Sequence, residues 1–358
     1  MSVEINPGKP NFGETQWITL EDVNVEYLLD IFMAIDPNSD SVWAACTNFM
    51  QHLSWHKKRL TILKPKIEGL PDDHPFKPGC LFELSLLLSS VGNHAECKQL
   101  LTHVLKLERE RGDVLLVAHI LMDLSNINRQ MDFPKEGIQQ AKEALEIYEQ
   151  LGHTTAQADC SIKLAWLLNS DNQFGAAEEA AFRAINLLSE KGEQFWVCQS
   201  HRALGEIYRS KGETKKAIHH YELALGITSS FNWHDLQFWI NYELAVLFIG
   251  EGGFDDAHAH LEQAKLHTVN SARNLGLAIV LQAVVLHKQR KLEEAKSQAL
   301  RAADIFENVG AAKDVEDCRI FVQRIQKELD RPVASDKSAL NCELLQTMLL
   351  PARIDFSF

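Results

Sequence analysis

The chain has 358 residues, of which 46% are hydrophobic and 24% charged, so it holds enough apolar material for a sizeable core. Its formal net charge of -13 argues against binding to nucleic acid or to an anionic membrane, because phosphate binding needs a basic surface. Seven scattered cysteines without a C-x2-C pair, and the lack of a signal peptide or of a membrane-length apolar run, predict a cytoplasmic protein with reduced thiols.

Residues 1–77 do not follow the pattern of the rest of the chain. Helices are predicted from Thr19 to Ile35 and from about Ser41 to Leu60, with a turn at Asp36–Asp40 between them. The run LKPKIEGLPDDHPFKPG contains four prolines and predicts an extended connector. We therefore expect residues 1–77 to form an N-terminal helical extension followed by a proline-rich connector.

From about Pro78 to about Val309 the sequence repeats a pattern of two amphipathic helices that fold back on one another. The clearest copy runs from Gln199 to Thr228. Its helical spacing is carried by Leu204, Gly205 and Tyr208 on the first helix and by Ala217, Tyr221 and Ala224 on the second. We predict that Gly205 and Ala217 are small because the two backbones approach each other there.

The small residues of this copy recur at a nearly constant interval. On the second helices they are Ala95, Gly137, Ala177, Ala217, Ala257 and Ala295, at steps of 42, 40, 40, 40 and 38 residues. On the first helices they are Ser85, Ser125, Ala165, Gly205, Ala245 and Ala283. Seven residues after the second-helix position stand Ala144, Ala184, Ala224, Ala264 and Ala302, whereas the first repeat has Thr102. Six helix pairs are therefore predicted.

Glycines and a final helix complete the predicted repeat domain, residues 78–330. Gly112, Gly152, Gly192 and Gly310 follow the second helices, where a positive φ is favoured. The segment DVEDCRIFVQRIQKEL from Asp314 predicts one further helix that caps the array. Residues 331–358 form a linker and a short amphipathic tail, whose apolar residues at helical spacing are Leu340, Leu344, Leu345, Met348 and Leu349. This tail could dock as a helix on its own chain or on a partner, or stay disordered.

The order His201-x2-Leu204-Gly205-x2-Tyr208, then Ala217-x3-Tyr221, resembles the tetratricopeptide repeat, with His201 in place of tryptophan. HEAT and armadillo arrays have a similar period, but this residue order favours the tetratricopeptide interpretation. The resemblance implies an all-α fold: an α-solenoid of about six antiparallel helix pairs in a right-handed superhelix, with an N-terminal helical extension and a C-terminal capping helix. Its concave face would be lined by the first helices.

Several longer segments resemble the C-terminal repeat region of fungal signalling NTPases of the NLR-like (STAND) kind. They include WHKKRLTILKPKIEGLPDDHPFKPGCLFELS, EQFWVCQSHRALGEIYRSKGETKKAIHHYELAL, FNWHDLQFWI and FDDAHAHLEQAK. In such proteins the resemblance implies a repeat sensor downstream of a nucleotide-binding switch. This chain has no G-x4-G-K-[ST] phosphate loop, and residues 1–77 are too short for an NTPase domain. The resemblance therefore carries over a sensor module alone, with an NTPase-containing signalling protein as one conceivable partner.

The sequence contains only weak candidates for a metal site or a catalytic site. The histidines at 219, 220, 258, 260 and 267 have no H-E-x2-H spacing and predict solvated or inter-helix roles rather than a metal site. His234-Asp235 could belong to a hydrolytic triad, but no nucleophile motif accompanies it, so a helix-start turn is the better interpretation. Gly250, Gly252 and Gly253 predict a flexible corner. We expect no catalytic residue, no metal and no cofactor, and hence no enzyme.

The tetratricopeptide resemblance also implies which side chains face the groove. They stand three residues before, one after and four after the small residue of each first helix. These positions hold Asn126, Arg129, Ile162, Trp166, Asn169, Arg202, Glu206, Arg209 and Tyr242. They predict a protein- or peptide-binding face, in which arginine and asparagine would hold a backbone or carboxylate. Alternatively, Arg202 and Arg209 pair with Glu206 on their own helix.

Overall fold

The structure is a computed structural model that describes residues 64–65, 67–70, 77–90, 93–188, 192–268, 271–309 and 311–330. Throughout these ranges the regular structure is α-helical, with no β-strand. The helices are α1 Lys77–Ser90, α2 His94–Arg111, α3 Val114–Gln130, α4 Pro134–Gln150, α5 Thr154–Ser170, α6 Phe174–Leu188, α7 Gln194–Ser210, α8 Thr214–Thr228, α9 His234–Glu251, α10 Phe254–Leu266, α11 Ala272–Lys288, α12 Leu292–Val309 and α13 Ala312–Leu329. The predicted N-terminal helices and the tail after Asp330 lie outside the described residues.

The helices divide into two compact units, the first unit (residues 1–147) and the second unit (residues 148–358). Within the first unit, α2 packs against both α1 and α3. Within the second unit, antiparallel pairs form between α5 and α6, α7 and α8, α9 and α10, and α11 and α12, and each second helix also contacts the helix that follows it. The first helices α5, α7, α9 and α11 contact one another in turn. This arrangement confirms the predicted all-α solenoid.

The predicted capping helix is α13, which packs against α12. Val315, Cys318, Phe321 and Ile325 are buried along one side of it. Arg319 and its neighbours on the opposite side are exposed. One apolar and one mainly polar face are what the last described helix of a stacked array needs, because no described helix follows it.

Helix ends follow from local sequence. The Asp113 side chain accepts a hydrogen bond of 3.0 Å from the backbone N–H of Leu116, and so caps α3. Gly112 ends α2 with φ of 84°, and its N–H donates to the Glu108 carbonyl. Gly152 and Gly192 have φ of 69° and 74°, which confirms the prediction for these three glycines. Gly310 lies outside the described residues.

The predicted small residues are buried at every first-helix position. On the second helices, the predicted small residues from Gly137 to Ala295 are also buried. The prediction for the first repeat is wrong, because Ala95 and Thr102 are exposed. Cys97 and Val104 are buried in their place, and Cys97 lies 40 residues before Gly137. Alignment on alanine places the first repeat at Ala95. The packing instead requires a small side chain at a fixed position, and the cysteine side chain is small enough to fill it.

The connector before α1 also differs from expectation. Residues 64–65 and 67–68 are helical rather than extended. Ile67 is 1% exposed, and Lys64 forms an ion pair with Glu96 of α2. Burial of this apolar side chain against the first pair outweighs the tendency of the neighbouring proline to break the helix.

The thiols of the described ranges are buried and free: Cys80, Cys97, Cys160, Cys198 and Cys318. Burial raises the pKa of Cys80, Cys97, Cys198 and Cys318 to about 12. The pKa of Cys160 is raised further by the same cause. A thiol that stays protonated at neutral pH is a poor nucleophile, so these cysteines act as small apolar residues.

The turn inside each repeat places one residue in the left-handed region. Gly212 and Gly252 have φ of 75° and 79°, and the equivalent positions in other repeats hold Asp132, Asn172 and Arg290 at 60–66°. We expect Gly212→Ala to lower the free energy of unfolding by about 1 kcal/mol, since a β-carbon there has open space and only the backbone is strained. Chemical denaturation measures this. Gly226→Ala, which also has open space but lies inside α8, should instead gain about 0.5–1 kcal/mol.

Candidate functional site

The candidate site is the face of the first helices that carries the predicted residues, two of which lie in the first unit. Asn126 and Arg129 lie on α3 and are both buried. Arg129 Nη2 donates to Asn126 Oδ1 at 3.3 Å. The spacing of three residues places both side chains on one helix face, so they form a local polar patch.

In the second unit, Arg202 of α7 is held from two sides. Its Nη1 donates to Gln199 Oε1 at 3.3 Å, and its guanidinium carbon lies 5.3 Å from the centre of the Trp166 ring on α5. A guanidinium over an indole face is attracted by the ring's electron density. The contact therefore orients Arg202 and joins two successive first helices.

Arg209 lies two turns after Arg202 and is positioned by the next repeat. Its Nε lies 3.7 Å from Glu243 Oε2 on α9. This is the ion pair that Arg209 forms within the described chain, so the alternative of a pair with Glu206 on its own helix is wrong for this arginine. Burial acts to lower the pKa of Arg209, but Glu243, Tyr221 and Glu206 outweigh it, and the pKa lies above its usual value. The guanidinium is therefore permanently charged.

Glu243 is the unusual member of this group. Its side chain is 1% exposed, and the cation within 4 Å of its carboxylate is Arg209. Burial raises the pKa of Glu243, while the nearby Arg209 acts in the opposite direction. Tyr221 is fully buried beneath α7 beside Arg209 and Glu243, and its pKa is raised by burial and then by the charge on Glu243. Glu243 and Tyr221 therefore lie beneath Arg209, and both favour its charged form.

The predicted residues differ in how much surface they offer. Trp166, Glu206 and Arg209 are partly exposed, whereas Asn169 and Arg202 are buried. Asn169 Nδ2 donates to Ser210 Oγ at 3.1 Å and so links α5 to α7. Ile162 and Tyr242 are 1% and 2% exposed, and Tyr242 packs with Phe238 and Trp239 in the core. A ligand on this face would meet the three partly exposed side chains first.

Sequence reasoning missed Glu243, Gln199 and the place of Tyr221 under the site. One signal could have found Glu243, because it is the only acidic residue between the first and last turns of the apolar helix α9. A lone carboxylate at such a position is costly unless a cation lies near it. That cation belongs to another repeat, which the sequence does not reveal.

The histidines sit between helices rather than around an ion. His201 Nδ1 lies 3.1 Å from His220 Nδ1, and His220 stacks on Tyr208 with ring centres 5.3 Å apart. His234 Nδ1 of α9 lies 3.2 Å from His267 Nδ1, just after α10. Within the described ranges, no group of three His, Cys, Asp or Glu side chains could hold a metal ion. Nor does any described helix have the length and apolar character to span a bilayer.

Residues 201–231 match the model of the tetratricopeptide repeat family. Among solved structures the fold is similar to a Rap protein complexed with Competence and Sporulation Factor, at 12% identity and a TM-score of 0.56, with 88% of this chain and 98% of that chain covered. It is also similar to a tetratricopeptide repeat protein from Parabacteroides merdae, at 14% identity and a TM-score of 0.54, with 83% and 99% covered. No curated protein matches the sequence.

A third similar structure is a Signal Transduction ATPase with Numerous Domains (STAND) protein with a tetratricopeptide repeat sensor, from Pyrococcus horikoshii. Identity is 14% and the TM-score 0.52, and the match covers 90% of this chain and 51% of that chain. This chain therefore spans about half the length of that protein. The three likenesses show a tetratricopeptide-type fold, and they confirm the resemblance seen in the sequence.

Proposed function

We propose that the protein is a non-enzymatic scaffold that binds a protein or peptide through the first-helix face of its second unit. Trp166, Glu206 and Arg209 are the contact residues, and Arg202 and Asn169 position them. Asn126 and Arg129 form a smaller patch of the same kind in the first unit. A cytoplasmic location belongs to the proposal and is supported by the free, buried thiols.

The observation that carries the proposal is the ion pair between the partly exposed Arg209 and the buried Glu243. The pair fixes the guanidinium before any ligand arrives, so little side-chain entropy remains to be lost on binding. A peptide offers carbonyl acceptors for Arg209, N–H donors for Glu206 and apolar side chains for Trp166. A surface with all three properties matches a peptide better than it matches a purely anionic or purely apolar ligand.

The comparisons support a scaffold of this type. The Rap protein of similar fold was solved in complex with Competence and Sporulation Factor, so a solenoid of this kind can bind another molecule. Transfer of that property to this chain is part of the proposal, because the identity of 12% speaks for the fold alone.

A second candidate function is the sensor module of a STAND-type signalling NTPase whose nucleotide-binding domain is on another chain. The similar STAND protein, which contains a tetratricopeptide repeat sensor, favours it. Affinity capture of the full chain from its native cells distinguishes the two. Recovery of an NTPase in constant ratio supports the sensor, and recovery of other proteins through the same face supports the general scaffold.

The peptide-binding proposal is tested by selecting a displayed random peptide library on the full chain. We expect Trp166→Ala/Glu206→Ala to weaken binding of the selected peptides roughly tenfold or more, because central contact residues carry most of the binding energy. Phe182→Ala is the matched control, since Phe182 is a 40% exposed aromatic on the second helix of the same repeat and should bind normally. Peptides that bind all three chains equally would contradict the assignment of the face.

A further inference from the structure

A second surface, independent of the first-helix face, runs along one edge of the second unit. In stacked antiparallel pairs, the starts of first helices and the ends of second helices lie at the same edge. Phe195 and Trp196 are in the first turn of α7, Phe231 and Trp233 precede α9, and Leu266 ends α10. We call these five residues the aromatic edge.

Contacts between the rings show that the four aromatic members of this edge form one cluster. Phe231 stacks on Trp233 with ring centres 4.1 Å apart, and Phe195 meets Trp233 edge-on at 5.4 Å. Phe195 also meets Trp196 at 5.0 Å. The contact of His234 with His267, which flank Trp233 and Leu266, carries the edge into the next repeat.

The aromatic edge exposes several apolar side chains to solvent. Leu266 is 65% exposed and Phe231 39% exposed, and the other three rings are partly exposed. Single exposed apolar residues are ordinary, but a contiguous group that spans two repeats marks an interaction surface.

The chain carries a segment that fits this surface. In residues 340–350, Leu340, Leu344, Leu345, Met348 and Leu349 fall on one side of a helix, and Glu343 is the one charged residue. A helix of 11 residues is not stable alone in water, so the segment needs an apolar surface on which to fold. Pro351 follows and would end the helix.

The linker is long enough to bring this segment to the aromatic edge. The 18 residues of α13 run about 27 Å from that edge to the opposite one. The ten residues from Asp330 to Leu340 span up to about 33 Å when extended. The segment can therefore return along α13 and begin at the edge where α13 starts.

We propose that residues 340–350 dock as an amphipathic helix along the aromatic edge of the same chain. The leucines cover Leu266 first and the aromatic rings beyond it.

Hydrogen exchange measured by mass spectrometry on the full chain tests the proposal. Amides of residues 340–350 are expected to exchange about tenfold or more slowly than an unstructured peptide does. Phe231→Asp/Leu266→Asp should return them to the unstructured rate, and both positions are exposed enough for the variant to fold. Leu300→Asp is the matched control, because Leu300 is 46% exposed on α12, away from this edge, and protection should persist.

Each other outcome overturns the proposal. Rapid exchange of residues 340–350 in the unmodified chain would mean that the edge awaits a separate partner. Protection that increases with protein concentration would mean that the segment docks on a second copy. Protection that survives Phe231→Asp/Leu266→Asp, with the repeat helices still protected, would place the segment on another surface.

Discussion

Gly205→Ala is expected to lower the free energy of unfolding by about 2–3 kcal/mol, as measured by chemical denaturation. A β-carbon at this position would lie 2.7 Å from two carbons of the Tyr221 ring, closer than carbon atoms can approach. Tyr221 cannot yield easily, because its ring is fully buried and its hydroxyl lies beside Arg209 and Glu243. The overpacking outweighs the roughly 1 kcal/mol that alanine gains over glycine in a helix.

A double-mutant cycle checks the cause of this loss. The cost of Gly205→Ala should be clearly smaller in a Tyr221→Leu background, because the smaller side chain leaves room for the added methyl group. Equal costs in both backgrounds would show that the ring is not the obstacle. Gly276→Ala offers an independent copy of the test, since its β-carbon would lie 2.6 Å from the Phe306 ring.

Acidification from about pH 6.5 to 4 is expected to destabilise the protein by up to about 3 kcal/mol through His220 alone. The pKa of His220 is lowered from 6.5 to about 4 by burial and then by His201 and His219. Lys216 acts in the same direction, and Glu178 of α6 opposes it. In this pH window the unfolded chain binds a proton that the folded chain does not, so stability is complete above pH 6.5 and falls as the pH falls.

His220→Phe separates this effect from general acid denaturation. The phenyl ring keeps the stack on Tyr208 but cannot titrate, so the variant should lose about 2–3 kcal/mol less than the unmodified chain between pH 7 and 4. His258→Asn is the control, because the His258 side chain is 55% exposed, and it should follow the unmodified chain. Parallel pH profiles for all three proteins would show that His220 is not the group responsible.

The fold was predictable because its requirement is local and repeated. Each pair needs a small side chain where two backbones meet, and residues such as Ala177, Ala217 and Ala257 supply it at a step of 40. The first repeat was misaligned because Cys97 satisfies the same requirement without being an alanine. Helix ends were predictable where glycine takes a positive φ, but Arg290 takes one without any such signal.

The candidate site was predictable in position but not in detail. The resemblance indicated the face on which Trp166, Arg202 and Arg209 lie. Exposure could not be predicted, since it depends on side chains of neighbouring helices, and Tyr242 is consequently in the core. The ion pair between repeats could not be predicted either. Arg209 and Glu243 are 34 residues apart in the sequence, and the pair exists only once α7 and α9 pack together.

That ion pair makes the repeats non-interchangeable. Arg209 is the cation within 4 Å of Glu243 in the described second unit, and the equivalent position of the preceding repeat holds Asn169, which has no charge. A shuffled chain in which α9 followed directly after α6 would keep every small residue in register and still bury a carboxylate against an amide. Evolution by duplication or loss of whole repeats is therefore restricted at this junction, although the constant 40-residue step would otherwise permit it.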